Sequence, residues 1–353
     1  MTTDFQRFAN FRGGQFIPPE NSGYEVMLTA AKNIVAPLVA QGRKNGRPMK
    51  LDIGIIANPN FNAFAYTGYE TDLIAINIGT INSFIHHYRC IFSQDECWPE
   101  YGSNDPLQKR LFIDSDTSNP LISVEREQAS HYFITGSILY LVLHEFAHIF
   151  HGHADWVYSV SGKPLQEIFE SSSETVSFDD WQTLEWDADQ FAVYQLLAHT
   201  LTPEVDFSVR PSRWTLLEKN QFGDTKAAVK LVTGIILTAH LIMAALDGNP
   251  IDNAAGRRHP PEYARQYCGV ATIPFNLDIR AGIDRTIGAE MAGAGASEAV
   301  NAWSRIFRLP IIHPFYRDNI EFSDGLMDIY RERWKSLYPT LNKMKRGGEL
   351  SIP

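Results

Sequence analysis

The stretch LVLHEFAHIFHGHADW, residues 141–156, sets His144 and His148 around Glu145 and adds His151 and His153 directly afterwards, all within an apolar run. On a helix, positions i and i+4 share a face about one turn apart. Two neutral imidazole nitrogens at that spacing can take two corners of a zinc tetrahedron. Glu145 is turned about 100° from His144 around the helix axis. It can therefore stand beside a metal without binding it, hold an activated water and accept its proton. This is the H-E-x-x-H arrangement of zinc peptidases.

A third ligand has to come from elsewhere. In the longer pattern HExxHxxGxxH, the glycine slot here holds His151 and the last histidine slot holds Ala154. The segment LEWDADQFA, residues 184–192, offers Glu185, with Asp189 four residues later on the same face. The intervening chain is long enough to loop out and return as an antiparallel helix. Asp189 is then placed to accept the second N–H of a ligand histidine, His144, and fix its tautomer. Leu184, Trp186, Ala188, Phe191 and Ala192 make this segment too apolar for a merely solvated acidic face. If Glu185 is not the ligand, Glu170, Glu174 and Asp187 are next in line. His151 and His153 read as caps at the helix C-terminus, where positive charge is favoured.

Working outward, a long helix is expected from about Glu125 to His151, with Gly152 as the residue after its cap. A second is expected from about Asp179, with Ser177 as N-cap. LDIGIIA (51–57) and DLIAINIG (72–79) read as strands by β-branched content and length. An amphipathic helix precedes them within residues 23–42, and a helix follows at 81–92. Residues 94–122 read as a polar loop or insertion. The apolar run 227–246 has the length of a membrane span. Lys230 and His240 interrupt it, so the expectation is a buried core helix and no stable membrane insertion. GAEMAGAGAS (288–297) follows no strand and reads as a loop or tight helix packing, not a nucleotide site. The remaining C-terminal stretch reads as mostly helical.

Composition bounds the rest. The chain has 353 residues, 44% apolar and 20% charged, with a net charge of −10. Its mean hydropathy is −0.20 and its pI is near 5.6. That balance argues against a binder of nucleic-acid backbones. The three cysteines, Cys90, Cys97 and Cys268, show no CxxC spacing and read as reduced thiols of a cytoplasmic protein. The N-terminal residues lack the basic start and apolar core of a secretory signal.

Together, HEFAHIFHGH and EWDADQFA resemble the gluzincin peptidases of the CAAX prenyl protease and HtpX type. That family's pattern is HExxH, often with a histidine five residues after the second ligand, then ExEAD. His153 matches the later histidine, and Asp187 stands where the middle glutamate is usual. NAFAYTGYETDLIAINIG (62–79) resembles the family's Asn-Ala-Phe-Ala segment leading into an edge strand. RRHPPEYAR (257–265) resembles its late His-Pro-Pro motif. The resemblance spans roughly residues 50–265, and a soluble relative like the phage-exclusion Lit peptidases fits equally.

The resemblance implies an α+β, mainly helical, zincin-like fold with a small sheet on the active-site helix. The expected division is an N-terminal segment (1–50), a peptidase core (51–265) and a C-terminal helical extension packed on the core (266–353). The resemblance also implies that Asn62, Ala63, Phe64 and Ala65 border the substrate, and that His259 stabilises the oxyanion. The expected function is a zinc-dependent endopeptidase acting on protein or peptide substrates. One Zn2+ per chain is held by His144, His148 and Glu185, with Glu145 as general base. The alternatives are a non-catalytic interaction protein on the same scaffold, which the intact Glu145 argues against, and a membrane-associated prenyl-protease-type enzyme.

Overall fold

The computed structural model describes residues 6, 8–10, 12–17, 24–68, 70–104, 120, 122–162, 176–201, 225–246, 260–307, 317–348 and 350. Within them the protein is mainly helical with a small mixed sheet.

The sheet holds β1 (Phe16–Ile17), β4 (Leu51–Ile56), β5 (Ala63–Tyr66) and β6 (Asp72–Asn77), in the order β1-β4-β6-β5. A separate two-stranded ribbon pairs β2 (Arg43–Lys44) with β3 (Arg47–Pro48). β4 and β6 run parallel, while β1 and β5 pair antiparallel on the two outer sides. Side chains alternate across a strand. Ile53, Ile55, Ala65, Ile74 and Ile76 accordingly join the main core on the helix side. Ile56, Leu73 and Ala75 pack on the other side, against Phe8, Phe64 and Tyr66. The expectation that the segment 62–65 leads into an edge strand at 72–79 is corrected here. β6 is interior and buried at every position, and the edge strand is Ala63–Tyr66 itself. A strand buried on both faces reads as a continuous apolar run without alternation, as LIAI does.

The helices are α1 (Glu25–Gln41), α2 (Ile78–Phe92), α3 (Val124–Phe150), α4 (His153–Ser161), α5 (Phe178–Leu201), α6 (Thr225–Leu246), α7 (Glu262–Ala281), α8 (Arg285–Phe307) and α9 (Arg317–Met344). α3 is the central one, packed against α1, α2, α5, α6 and the sheet at β5 and β6. Ser123 caps its start by accepting from the Arg126 N–H at 3.3 Å. Ser177 caps α5 likewise, accepting from the Asp180 N–H at 3.1 Å. The fully buried Arg126 donates to the carbonyls of Phe92, Gln94, Cys97 and Gly102, so the first part of the 94–122 stretch wraps the start of α3.

α3 and α6 are both long and apolar enough to cross a membrane, and both are mostly buried inside the protein. The Gly-Ala patch lies within α8 and is tight helix packing. A Cβ at Gly295 would come 2.4 Å from the Lys230 carbonyl oxygen on α6. The main core draws on α1, the sheet, α2, α3 and α5 through α8.

A second core of Trp156, Val157, Trp181, Leu184, Trp334, Leu337 and Leu341 joins α4, α5 and α9 beyond the end of α3. The chain then crosses that end. The Arg346 N–H donates to the Phe150 carbonyl at 2.8 Å. The Arg346 guanidinium pairs with Asp72 and Asp155.

Candidate metal centre

Tyr140, His144 and His148 stand at i, i+4 and i+8 on α3, and Glu185 and Asp189 at i and i+4 on α5. Packing these two helices brings the rows together. His144 Nε2 and His148 Nε2 lie 3.2 Å apart. Glu185 Oε2 is 3.3 Å from His144 Nε2, and Glu185 Oε1 is 3.3 Å from His148 Nε2. All three side chains are buried. A tetrahedral ion with bonds of about 2.0–2.1 Å keeps its ligand atoms about 3.3 Å apart. The two imidazole nitrogens thus lie at the spacing of two ligands of one zinc, and each has a different Glu185 oxygen at that same spacing.

The remaining ring nitrogens explain why these atoms face inward. Asp189 Oδ1 accepts from His144 Nδ1 at 2.8 Å. Asp189 is itself clamped by Arg265, whose Nε and Nη2 donate to Oδ2 and Oδ1 at 2.7 and 2.8 Å. Tyr140 Oη donates to Asp189 Oδ1 at 2.8 Å. Burial works against the charge of Asp189. Arg265 and His144 outweigh it and hold the carboxyl well below the ordinary range. An ionised Asp189 fixes the His144 proton on Nδ1 and leaves Nε2 as a lone pair.

In competition with protons alone, burial drives His144 towards neutrality. Its hydrogen bonds with Asp189 and Glu185 outweigh that and raise it to about 10. A zinc ion taking this corner must displace that proton.

Within the motif Glu145 is the partly exposed residue, while His144, Phe146, Ala147 and His148 are buried. Asn62 is exposed, and Thr80 at the start of α2 pins it by accepting its N–H at 2.7 Å and donating to its carbonyl at 2.8 Å. Ala63 and Ala65 lie on the face of β5 turned to the helices. Phe64 lies on the opposite face, beneath the Arg12 guanidinium at 4.3 Å. Of the four residues expected to border substrate, Phe64 therefore points its ring away from α3. His259, Glu170 and Glu174 lie outside the described residues.

His151 holds the C-cap position of α3, whereas His153 begins α4, so the expected capping is corrected for His153, and both rings meet Asp187. His151 Nδ1 meets Asp187 Oδ2 at 2.5 Å, and His153 Nε2 lies 3.1 Å from the same oxygen. Burial opposes the charge on Asp187, but the two imidazoles hold its carboxyl well below the ordinary range. Burial brings His153 down to about 4 despite Asp187.

Arg265, Tyr140, His240 and Glu262 were not legible as site residues. His240 Nε2 is 2.9 Å from Tyr140 Oη, and its Nδ1 is 2.9 Å from Glu262 Oε2. Glu262 also accepts from Arg265 at 3.3 Å, which closes a polar ring behind Asp189. The available signals were a histidine inside an apolar helix and an arginine three residues after a glutamate.

The fold and site define a mainly helical protein with a buried two-histidine, one-carboxylate donor set. No family model matches the chain, and neither the curated proteins nor the solved structures include a significant match.

Proposed function

We propose that the protein is a zinc-dependent endopeptidase of zincin-like fold, similar to the gluzincins of the CAAX prenyl protease and HtpX type or to a soluble Lit-like relative. The observation that carries this reading is the trio His144, His148 and Glu185. Two imidazole nitrogens lie 3.2 Å apart, and each is 3.3 Å from one of the two Glu185 oxygens, all brought together from two helices. Zinc held there would supply Lewis acidity, polarising a scissile carbonyl and acidifying water.

Everything else falls to the chain's own groups. Asp189, locked by Arg265 and Tyr140, keeps the Nε2 of His144 aimed inward. The Glu145 carboxylate takes the proton of the attacking water and hands it to the departing amine nitrogen. Its partial exposure suits a group that must meet both water and substrate. Protein or peptide is the substrate, and the reduced-thiol reading of the cysteines supports a cytoplasmic reaction.

Elemental analysis after zinc reconstitution tests the reading. One zinc per chain is expected. Glu185→Ala should weaken binding by more than the about 10–100-fold typical of losing a ligand-orienting group. Wild-type protein that takes up no zinc, or Glu185→Ala binding it as tightly as wild type, sinks the assignment.

Substrate positioning follows from the register of β5. The Asn77 N–H donates to the Asn62 carbonyl at 3.0 Å. With the pairs Phe64↔Ala75 and Tyr66↔Leu73, alternation in an antiparallel ladder turns the backbone groups of Phe64 and Tyr66 to β6. Those of Ala63 and Ala65 turn to the sheet's outer edge. The Ala63 N–H is met by the Asn62 side chain at 2.8 Å. An extended substrate would add as a strand on this edge. It would enter at the half-exposed Ala63, and chain covering the buried Ala65 must yield for pairing to extend.

Proline at the two neighbouring positions should then act differently. Ala63→Pro deletes an outward N–H at the first residue of an edge strand, and should keep fold and zinc while impairing cleavage. Phe64→Pro removes a ladder bond and should destabilise the sheet. Cleavage unaffected by Ala63→Pro would remove β5 from substrate binding.

A further inference from the structure

The second buried group, His151, His153 and Asp187, has the composition of another metal site. Its distances say otherwise. The 2.5 Å from His151 Nδ1 to Asp187 Oδ2 is a hydrogen bond. It is well short of the about 3.3 Å that separates two ligand atoms of one tetrahedral ion.

The group has a different connection. His153 Nδ1 lies 3.1 Å from His148 Nδ1, with both rings buried. A zinc-binding histidine ordinarily gives its second N–H to a carboxylate, a backbone carbonyl or water. His144 does so with Asp189. His148 meets a histidine instead, and the carboxylate stands one step further out.

Proton positions along this chain are mutually consistent. With Nε2 as ligand, His148 carries its proton on Nδ1 and donates. His153 must then present a lone pair at Nδ1 and carry its own proton on Nε2. His153 Nε2 lies 3.1 Å from Asp187 Oδ2. Its N–H is not aligned on that oxygen, so the contact is a close approach to the carboxylate and not a hydrogen bond. His151 Nδ1 meets the same oxygen at 2.5 Å.

The backbone is built for this approach. On an unbroken helix, residue 153 would lie about 140° around from residue 148. The chain breaks at Gly152, with φ of 80°, and restarts as α4. A Cβ at Gly152 would stand 2.8 Å from the Met344 carbonyl carbon of α9. Only glycine fits there, by conformation and by space.

We infer that His153 is a positioning residue for the metal ligand His148. It accepts the His148 Nδ1–H in the place usually taken by a carboxylate, and Asp187 and His151 hold its ring. The inference rests on the zinc reading above. Its test uses the reconstituted full chain, with zinc affinity read by chelator competition and the ligand field by the visible spectrum of the cobalt(II) form.

His153→Leu fills similar space but offers no acceptor. It should weaken zinc by about 10–100-fold and alter the cobalt spectrum. His153→Asn, whose Oδ1 can stand near the Nδ1 position, should restore most of the loss. If the leucine variant does not fold, His153→Met, which adapts better beside Trp334, should show the same loss. A leucine or methionine variant binding like wild type overturns the inference. So does an asparagine variant no better than leucine, or saturation at two metals per chain. Wild type that binds no zinc defeats the zinc reading itself. Wild type that binds normally beside an unaffected leucine variant defeats only the role of His153.

Discussion

Glu145→Gln should bind zinc as wild type does and lose about 10²–10⁴-fold in kcat, the usual contribution of a positioned general base. Glutamine keeps the size and polarity of the side chain but cannot take a proton. Glu145 is partly exposed, so its replacement should leave stability within about 0.5 kcal/mol. The measurement pairs metal content with mass-spectrometric mapping of new amino termini in a peptide library. Wild-type cleavage by this variant would mean that Glu145 is not the base. Lost zinc would mean that it is a ligand. The same result also addresses the non-catalytic alternative, because a binding scaffold would show no cleavage to lose.

Arg265→Leu is expected to cost about 3–5 kcal/mol of stability, because it strands a buried carboxylate. Asp189 would lose two hydrogen bonds of 2.7 and 2.8 Å and keep its burial. The Asp189 carboxyl is held below its ordinary 3.8. The stability it contributes is therefore present above that pH and lost as pH falls through the folded-state value. The gap between wild type and variant should narrow in acid.

The double change Arg265→Leu with Asp189→Leu removes both charges, and should recover much of the stability. It should not recover zinc affinity, since His144 then lacks the group that fixes its tautomer. Denaturant unfolding and zinc competition separate the two effects. Arg265→Leu within about 1 kcal/mol of wild type would show that the pair contributes little beyond a hydrophobic contact. Arginine and lysine are not interchangeable at such a two-point contact, so Arg265→Lys should fall between.

The parts legible from the sequence share one physical property: their geometry is local. His144 and His148 share a face because a helix repeats every 3.6 residues. The same holds for Glu185 with Asp189, and Ser177 caps its helix through the residue three positions on. The mainly helical class with a small sheet follows from such periodicities. One local signal points against the edge position that the resemblance implies for 72–79: the unbroken apolar run LIAI marks an interior strand.

The contacts that make the centre connect residues far apart in sequence, and only the packing of helices decides them. The spacing of Glu185 to both imidazoles, Arg265 on Asp189, and His240 on Tyr140 each depend on how α3, α5, α6 and α7 meet. A sequence pattern states which residue types lie on a face, but not which face of another helix it will find. His153 shows the difference over the shortest span. By helical periodicity it belongs on another face than His148. It returns to His148 because Gly152 ends the helix, in a conformation and a space that the docked end of α9 leaves to glycine alone.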